Sequence, residues 1–136
     1  MKIDHIALFC KDLEQMRQFF LDHFEGISNE QYYNPRTGLR TYILTFPNGG
    51  ARLELMQRPD TIDADPSKPN IGFIHVSFAL GSKEAVDEKT VELLHAGYKV
   101  ADGHVHRHDV PVSIHFLCLP ETPRRTRPRV AERQIV

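Results

Sequence analysis

The chain lacks several features that would narrow its class at once. It has two cysteines, Cys10 and Cys118, too few for a disulfide framework and without CxxC spacing. Both read as small buried apolar residues, and a reducing cytoplasm is the expected compartment. Net charge is nearly absent, −1 over 136 residues, so nothing draws the chain toward nucleic acid or an anionic membrane. No apolar run approaches the roughly 20 residues of a membrane span. The N-terminus opens on a strand pattern rather than on a signal peptide. What remains is a chain that is 40% hydrophobic and 26% charged, long enough for one domain with a core.

A repeat organises it. Ile3-Asp4-His5-Ile6-Ala7-Leu8-Phe9 and Phe73-Ile74-His75-Val76-Ser77-Phe78 each set one histidine in an apolar, β-branched run. Each run precedes a stretch with helical spacing. Residues 3–10 read as a buried strand. Asp12 then caps a helix whose Leu13, Met16, Phe19, Phe20 and Phe24 share one face, with Gly26 as its C′ residue. Residues 40–46 and 51–57 read as a hairpin around Pro47-Asn48-Gly49-Gly50, with a short extra strand near residues 28–33. A Pro- and Asp-rich linker fills residues 59–70. The second half restarts with a strand over 71–80 and a helix over 83–95, capped by Ser82, with Val86, Val91 and Leu94 inward and Gly97 closing it. Further strands are expected over 98–101 and 112–119. His5 and His75 are 70 residues apart and Gly26 and Gly97 are 71 apart, so strand, helix and cap repeat in register. The expected organisation is a first module over 1–58, a linker, and a second module over 71–136 that turns atypical after about Gly103.

Side chains alternate across a strand, and Glu54 sits between Leu53 and Leu55 in an apolar run. Burying a carboxylate there is costly unless it is paired or binds a metal. Two imidazoles, His5 and His75, and one carboxylate, Glu54, form a donor set that suits Zn, Ni, Fe(II) or Mn.

At Lys2-Ile3-Asp4-His5-Ile6-Ala7, at the helix ending on Gly26, at Ala51-Arg52-Leu53-Glu54-Leu55-Met56 and at Gly72-Phe73-Ile74-His75-Val76-Ser77-Phe78, the chain resembles the vicinal oxygen chelate superfamily over roughly residues 1–103. This superfamily includes glyoxalase I, bleomycin-resistance proteins and extradiol dioxygenases. The resemblance is strongest to small bacterial glyoxalase-like members. It implies an α+β fold in which two βαβββ modules make a half-barrel around a metal. His5, Glu54 and His75 would be three of the four ligands. The metal would be nickel or zinc, with iron or manganese as alternatives. A homodimer is implied, as is a small-molecule substrate, and no nucleic-acid or membrane partner is expected. Glutathione or another thiol would be co-substrate. The reaction would be a lactoylglutathione lyase-like isomerisation of a 2-oxoaldehyde thiohemiacetal, with Glu54 as the catalytic carboxylate.

The fourth ligand of the family, a glutamate on the last strand, has no counterpart here. After Gly103 come His104, His106, His108 and His115, then Arg124, Arg125, Arg127, Arg129 and Arg133 among prolines, with no lysine. This composition reads either as a frameshifted tail or as a divergent one, and the loss of the last-strand glutamate predicts weak or absent activity. The alternating histidines of the tail offer a weaker, adventitious metal site. The Arg36 to Arg40 stretch could meet an anionic substrate, although solvated surface charge is its simpler reading. Two other functions fit the same superfamily: a metal-free antibiotic-binding protein, which would have no reason to keep His5, Glu54 and His75, and an Fe(II) dioxygenase, which usually needs a longer chain.

Overall fold

The computed structural model describes residues 1–62, 71–72 and 75–98, together with the backbone of the strand 113–117. The first half runs β1 (His5–Phe9), α1 (Leu13–Phe24), β2 (Ile27–Ser28), β3 (Tyr32–Asn34), β4 (Leu39–Thr45) and β5 (Arg52–Gln57). The second contributes β6 (His75–Ala79), α2 (Lys83–His95) and β7 (Ser113–Leu117). The fold is thus mixed α+β. The first five strands form one sheet in the order β1-β5-β4-β2, with β3 also on β4, while β6 and β7 form a separate antiparallel ladder. The remainder of the expected second βαβββ module, the expected strand beyond Tyr98, most of the linker, and the tail on either side of β7 lie outside the described residues.

The short strand expected near residues 28–33 is split. Ser28 pairs with Leu44 and Tyr32 with Thr41, so three residues oppose two and a bulge separates β2 from β3. Across it, the Ile43 amide donates to Asn29 Oδ1 at 2.7 Å.

α1 forms as its sequence dictates. Asp12 Oδ1 accepts from the Gln15 amide at 2.9 Å, and all five stripe residues are buried. They pack on Tyr42, Leu44, Leu53 and Leu55, which project from one face of β4 and β5. The helix ends on Glu25 in the left-handed region (φ 53°), one residue before the expected Gly26. Gly26 is needed for a different reason: a Cβ there would come within 3.0 Å of the Phe20 carbonyl oxygen. Cys10 joins the same core, and burial pushes its thiol up to about 12, in keeping with an inert apolar role. Cys118 lies outside the described residues.

Two expectations need correction. β1 is not buried throughout: Ile6 and Leu8 are half-buried, while His5, Ala7 and Phe9 are exposed on the other face. α2 keeps its expected bounds and its Ser82 cap, but its inward residues are Val86 and Leu93, and Val91 and Leu94 stand about half exposed. The helix has too few apolar residues to define one stripe, so docking decides. Leu93 enters the core cluster, and Tyr98 meets Phe19 edge-on at 4.9 Å. Phe78 of β6 packs 5.2 Å from Phe24 and 5.0 Å from Phe46, so the two halves share one aromatic core. Among the described residues no helix is long and apolar enough to cross a membrane.

Candidate metal centre

β1 and β5 run parallel, with His5 opposite Arg52 and Ala7 opposite Glu54. Partners in register share a face, so His5, Ala7, Arg52 and Glu54 all project away from α1. There His5 Nε2 stands 3.7 Å from Glu54 Oε2, with side chains 43% and 20% exposed. Glu54 is flanked in register by Ala7 and Ile43, a small and an apolar residue that offer its carboxylate no polar partner. The apolar strand that singled out Glu54 is therefore half-covered, and the carboxylate lies on its more open side.

The sequence reading missed what lies behind His5. Asp4 Oδ2 is 2.8 Å from His5 Nδ1 and also accepts from the Arg52 guanidinium. The Arg52 amide donates to the Asp4 carbonyl oxygen at 2.9 Å. Hydrogen bonds from His5 and then Arg52 hold the Asp4 carboxyl below the usual carboxylate range. An ionised carboxylate only accepts, so Nδ1 carries the proton in this contact. In the neutral ring Nε2 is then a bare lone pair facing a carboxylate oxygen. The one available signal was the Asp–His dipeptide itself, which does not reveal which way its carboxylate turns.

With the His5 ring neutral, the two acceptors face each other with no hydrogen between them, an arrangement that invites a cation. Donors bound to one tetrahedral ion at about 2.0–2.2 Å stand roughly 3.4 Å apart, so the His5–Glu54 pair fits two positions of such a shell. His75 occupies the equivalent place on β6. Val76 and Phe78 are half-buried, Phe78 against the α1 aromatics, while His75, Ser77 and Ala79 alternate onto the exposed face. Among the described residues, however, no three His, Cys, Asp or Glu side chains gather closely enough to hold one ion. The structure brings His5 and Glu54 together and leaves His75 outside that pair.

Arg40 belongs elsewhere. It is the register partner of Gln57 and alternates with Thr41, so it projects to the face opposite Glu54. There it lines an open cleft of about 460 Å³ with Tyr33, Gly38, Gln57, Arg58 and Pro59. Its Nη2 donates to Gln57 Oε1 at 2.8 Å, and Arg58 forks onto Asp60. None of the candidate ligands lines this cleft.

The family model for the glyoxalase/bleomycin resistance protein/dioxygenase superfamily matches residues 2–116. The chain belongs to that superfamily. The match runs past Gly103, where the motif resemblance was expected to stop. Solved structures of superfamily type share the fold. A glyoxylase/bleomycin resistance protein/dioxygenase domain from Frankia sp. EAN1pec superposes with a TM-score of 0.64 at 15% identity, covering 86% of this chain and 96% of that one. A mutant of the fosfomycin resistance protein FosX from Listeria monocytogenes, in complex with Mn(II) and 1S,2S-dihydroxypropylphosphonic acid, gives 0.57 at 20% identity over 77% and 75%. A possible glyoxalase from Bacillus cereus gives 0.56 at 20% identity over 87% and 99%. A search among curated proteins finds no match. At these identities the structural likeness speaks for the superfamily fold alone.

Proposed function

We propose that this superfamily member is a metal-dependent lyase of glyoxalase type, acting on the thiohemiacetal of a 2-oxoaldehyde and a thiol such as glutathione. The observation that carries the reading is the His5 Nε2 to Glu54 Oε2 approach of 3.7 Å on the helix-free face. His5 and Glu54 would hold a nickel or zinc ion, and His75 would join them on the same side of the second module in a homodimer that closes the half-barrel. The Mn(II) in the FosX structure supports divalent-metal chemistry on this fold. The bound ion would supply Lewis acidity to the substrate oxygens.

The rest falls to the chain's own groups. Glu54 takes the proton from the carbon bearing the hydroxyl and returns it to the neighbouring carbon, so that a thiohemiacetal becomes a 2-hydroxy thioester without net loss of atoms. With no last-strand glutamate to share the work, turnover is slow.

The purified chain, loaded by titration with Ni(II) or Zn(II), tests the reading. Binding that is lost in His5→Ala and Glu54→Gln, with slow isomerisation of a glutathione thiohemiacetal, is expected. Metal binding in both variants as tight as in wild type, or isomerisation at full rate without metal, overturns it. Oxygen uptake with catechols would instead favour a dioxygenase.

A further inference from the structure

We propose that Asp4 is a positioning residue of this site: it fixes the ring of His5 by its Nδ1 hydrogen and so turns a bare Nε2 toward Glu54. The inference rests on the metal reading above for its function, though not for its geometry.

An imidazole in water prefers to carry its hydrogen on Nε2, which would point a donor at Glu54 and leave no lone pair there for an ion. The chain reverses this preference locally. Asp4 Oδ2 receives Nδ1 at 2.8 Å, and the tautomer is set by that contact. Neighbouring residues inside a strand face opposite sides, but Asp4 lies just before β1, where its carboxylate is free to reach the His5 ring. Asp4 is itself held twice by Arg52, through the guanidinium on Oδ2 and through the amide on the carbonyl oxygen. The order is therefore Arg52, Asp4, His5, each group oriented by the one before it, and the ring so held faces Glu54 with its Nε2. Carboxylates behind metal-bound histidines act this way in general, fixing ring and tautomer.

The full chain, labelled with ¹⁵N at histidine and free of metal, tests the proposal at about pH 8.5, well above the ordinary imidazole range. Long-range proton–nitrogen correlations report which ring nitrogen of His5 is protonated. Wild type is expected to show Nδ1–H and Asp4→Ala to show Nε2–H. Zn(II) affinity should fall about 10–100-fold in Asp4→Ala. Asp60→Asn, which removes an equally exposed carboxylate paired with Arg58, should leave affinity unchanged. Asp4→Leu, close in shape but without an acceptor, should give the same tautomer change and the same fall in affinity, and checks the result should the alanine variant fold poorly.

The same tautomer in wild type and Asp4→Ala overturns the proposal. So does a loss of affinity in Asp60→Asn as large as that in Asp4→Ala, because generic charge would then explain it. A tautomer change without any change in affinity also overturns the functional role. If wild type binds no metal but still shows Nδ1–H that Asp4→Ala abolishes, the metal reading fails and the positioning of His5 by Asp4 is upheld.

Discussion

His23 of α1 donates through Nδ1 to Glu92 Oε1 of α2 at 2.6 Å, joining the two halves of the repeat by one polar contact beside their shared aromatic core. Glu92 also receives Lys89 Nζ at 2.5 Å, and the His23 ring packs tilted against Phe19 and edge-on to Tyr98. Burial alone would push Glu92 up, but the hydrogen bonds from Lys89 and His23 prevail and hold it below its ordinary value. A carboxyl depressed in the folded state stabilises the fold above its unfolded pKa of about 4.3 and loses that contribution as pH falls through the lower folded value. Glu92→Gln should therefore flatten the acid limb of a plot of Tm against pH. At neutral pH it should cost about 1 kcal/mol or less, since the carboxylate is partly exposed. An unchanged acid limb would show that the contact does not tie the halves together.

The two faces of α2 give a second test. Leu93 is buried in the common core, whereas Leu94 is 51% exposed. Leu93→Ala should cost about 2–4 kcal/mol in urea denaturation, and Leu94→Ala about 0.5 kcal/mol. Equal losses would restore the sequence-based assignment of Val91 and Leu94 as the inward stripe.

Gly38 and Gly49 both adopt positive φ, but only Gly38 is also crowded: a Cβ there would sit 2.8 Å from Pro59 Cγ. Gly49→Ala meets backbone strain alone, about 1–2 kcal/mol. Gly38→Ala adds a steric clash, and its midpoint of urea unfolding should be the lower of the two. The comparison is read from paired denaturation curves.

At the candidate site, Glu54→Gln keeps the shape of a partly exposed side chain while removing its charge. Stability should change by about 0.5 kcal/mol or less. Metal affinity should fall at least about 10-fold, and isomerisation of a thiohemiacetal should fall below detection. Wild-type affinity in this variant would remove Glu54 from the ligand set.

Much of this was legible along the chain. The α1 stripe and the Asp12 cap were readable because five large apolar residues recur at helical spacing after a good N-cap, and all five are buried. The α2 bounds were readable for the same reason at Ser82, but its inward face was not, because its apolar residues fall on competing stripes. The β1 face was misjudged as buried, since an apolar run does not say whether one side of the sheet or both are covered.

The candidate site divides in the same way. Local alternation gives His5 the face of Ala7, His75 the face of Ser77 and Glu54 the face opposite Leu53 and Leu55, and the repeat marks the two histidines as counterparts. That much belongs to the sequence, because side-chain direction in a strand is a property of the backbone. The meeting of His5 with Glu54, the turn of Asp4 behind the ring, and the grip of Arg52 on Asp4 depend on the parallel register of β1 and β5. Only the tertiary structure decides these, because residues far apart in the chain acquire a distance from one another only when their strands pair.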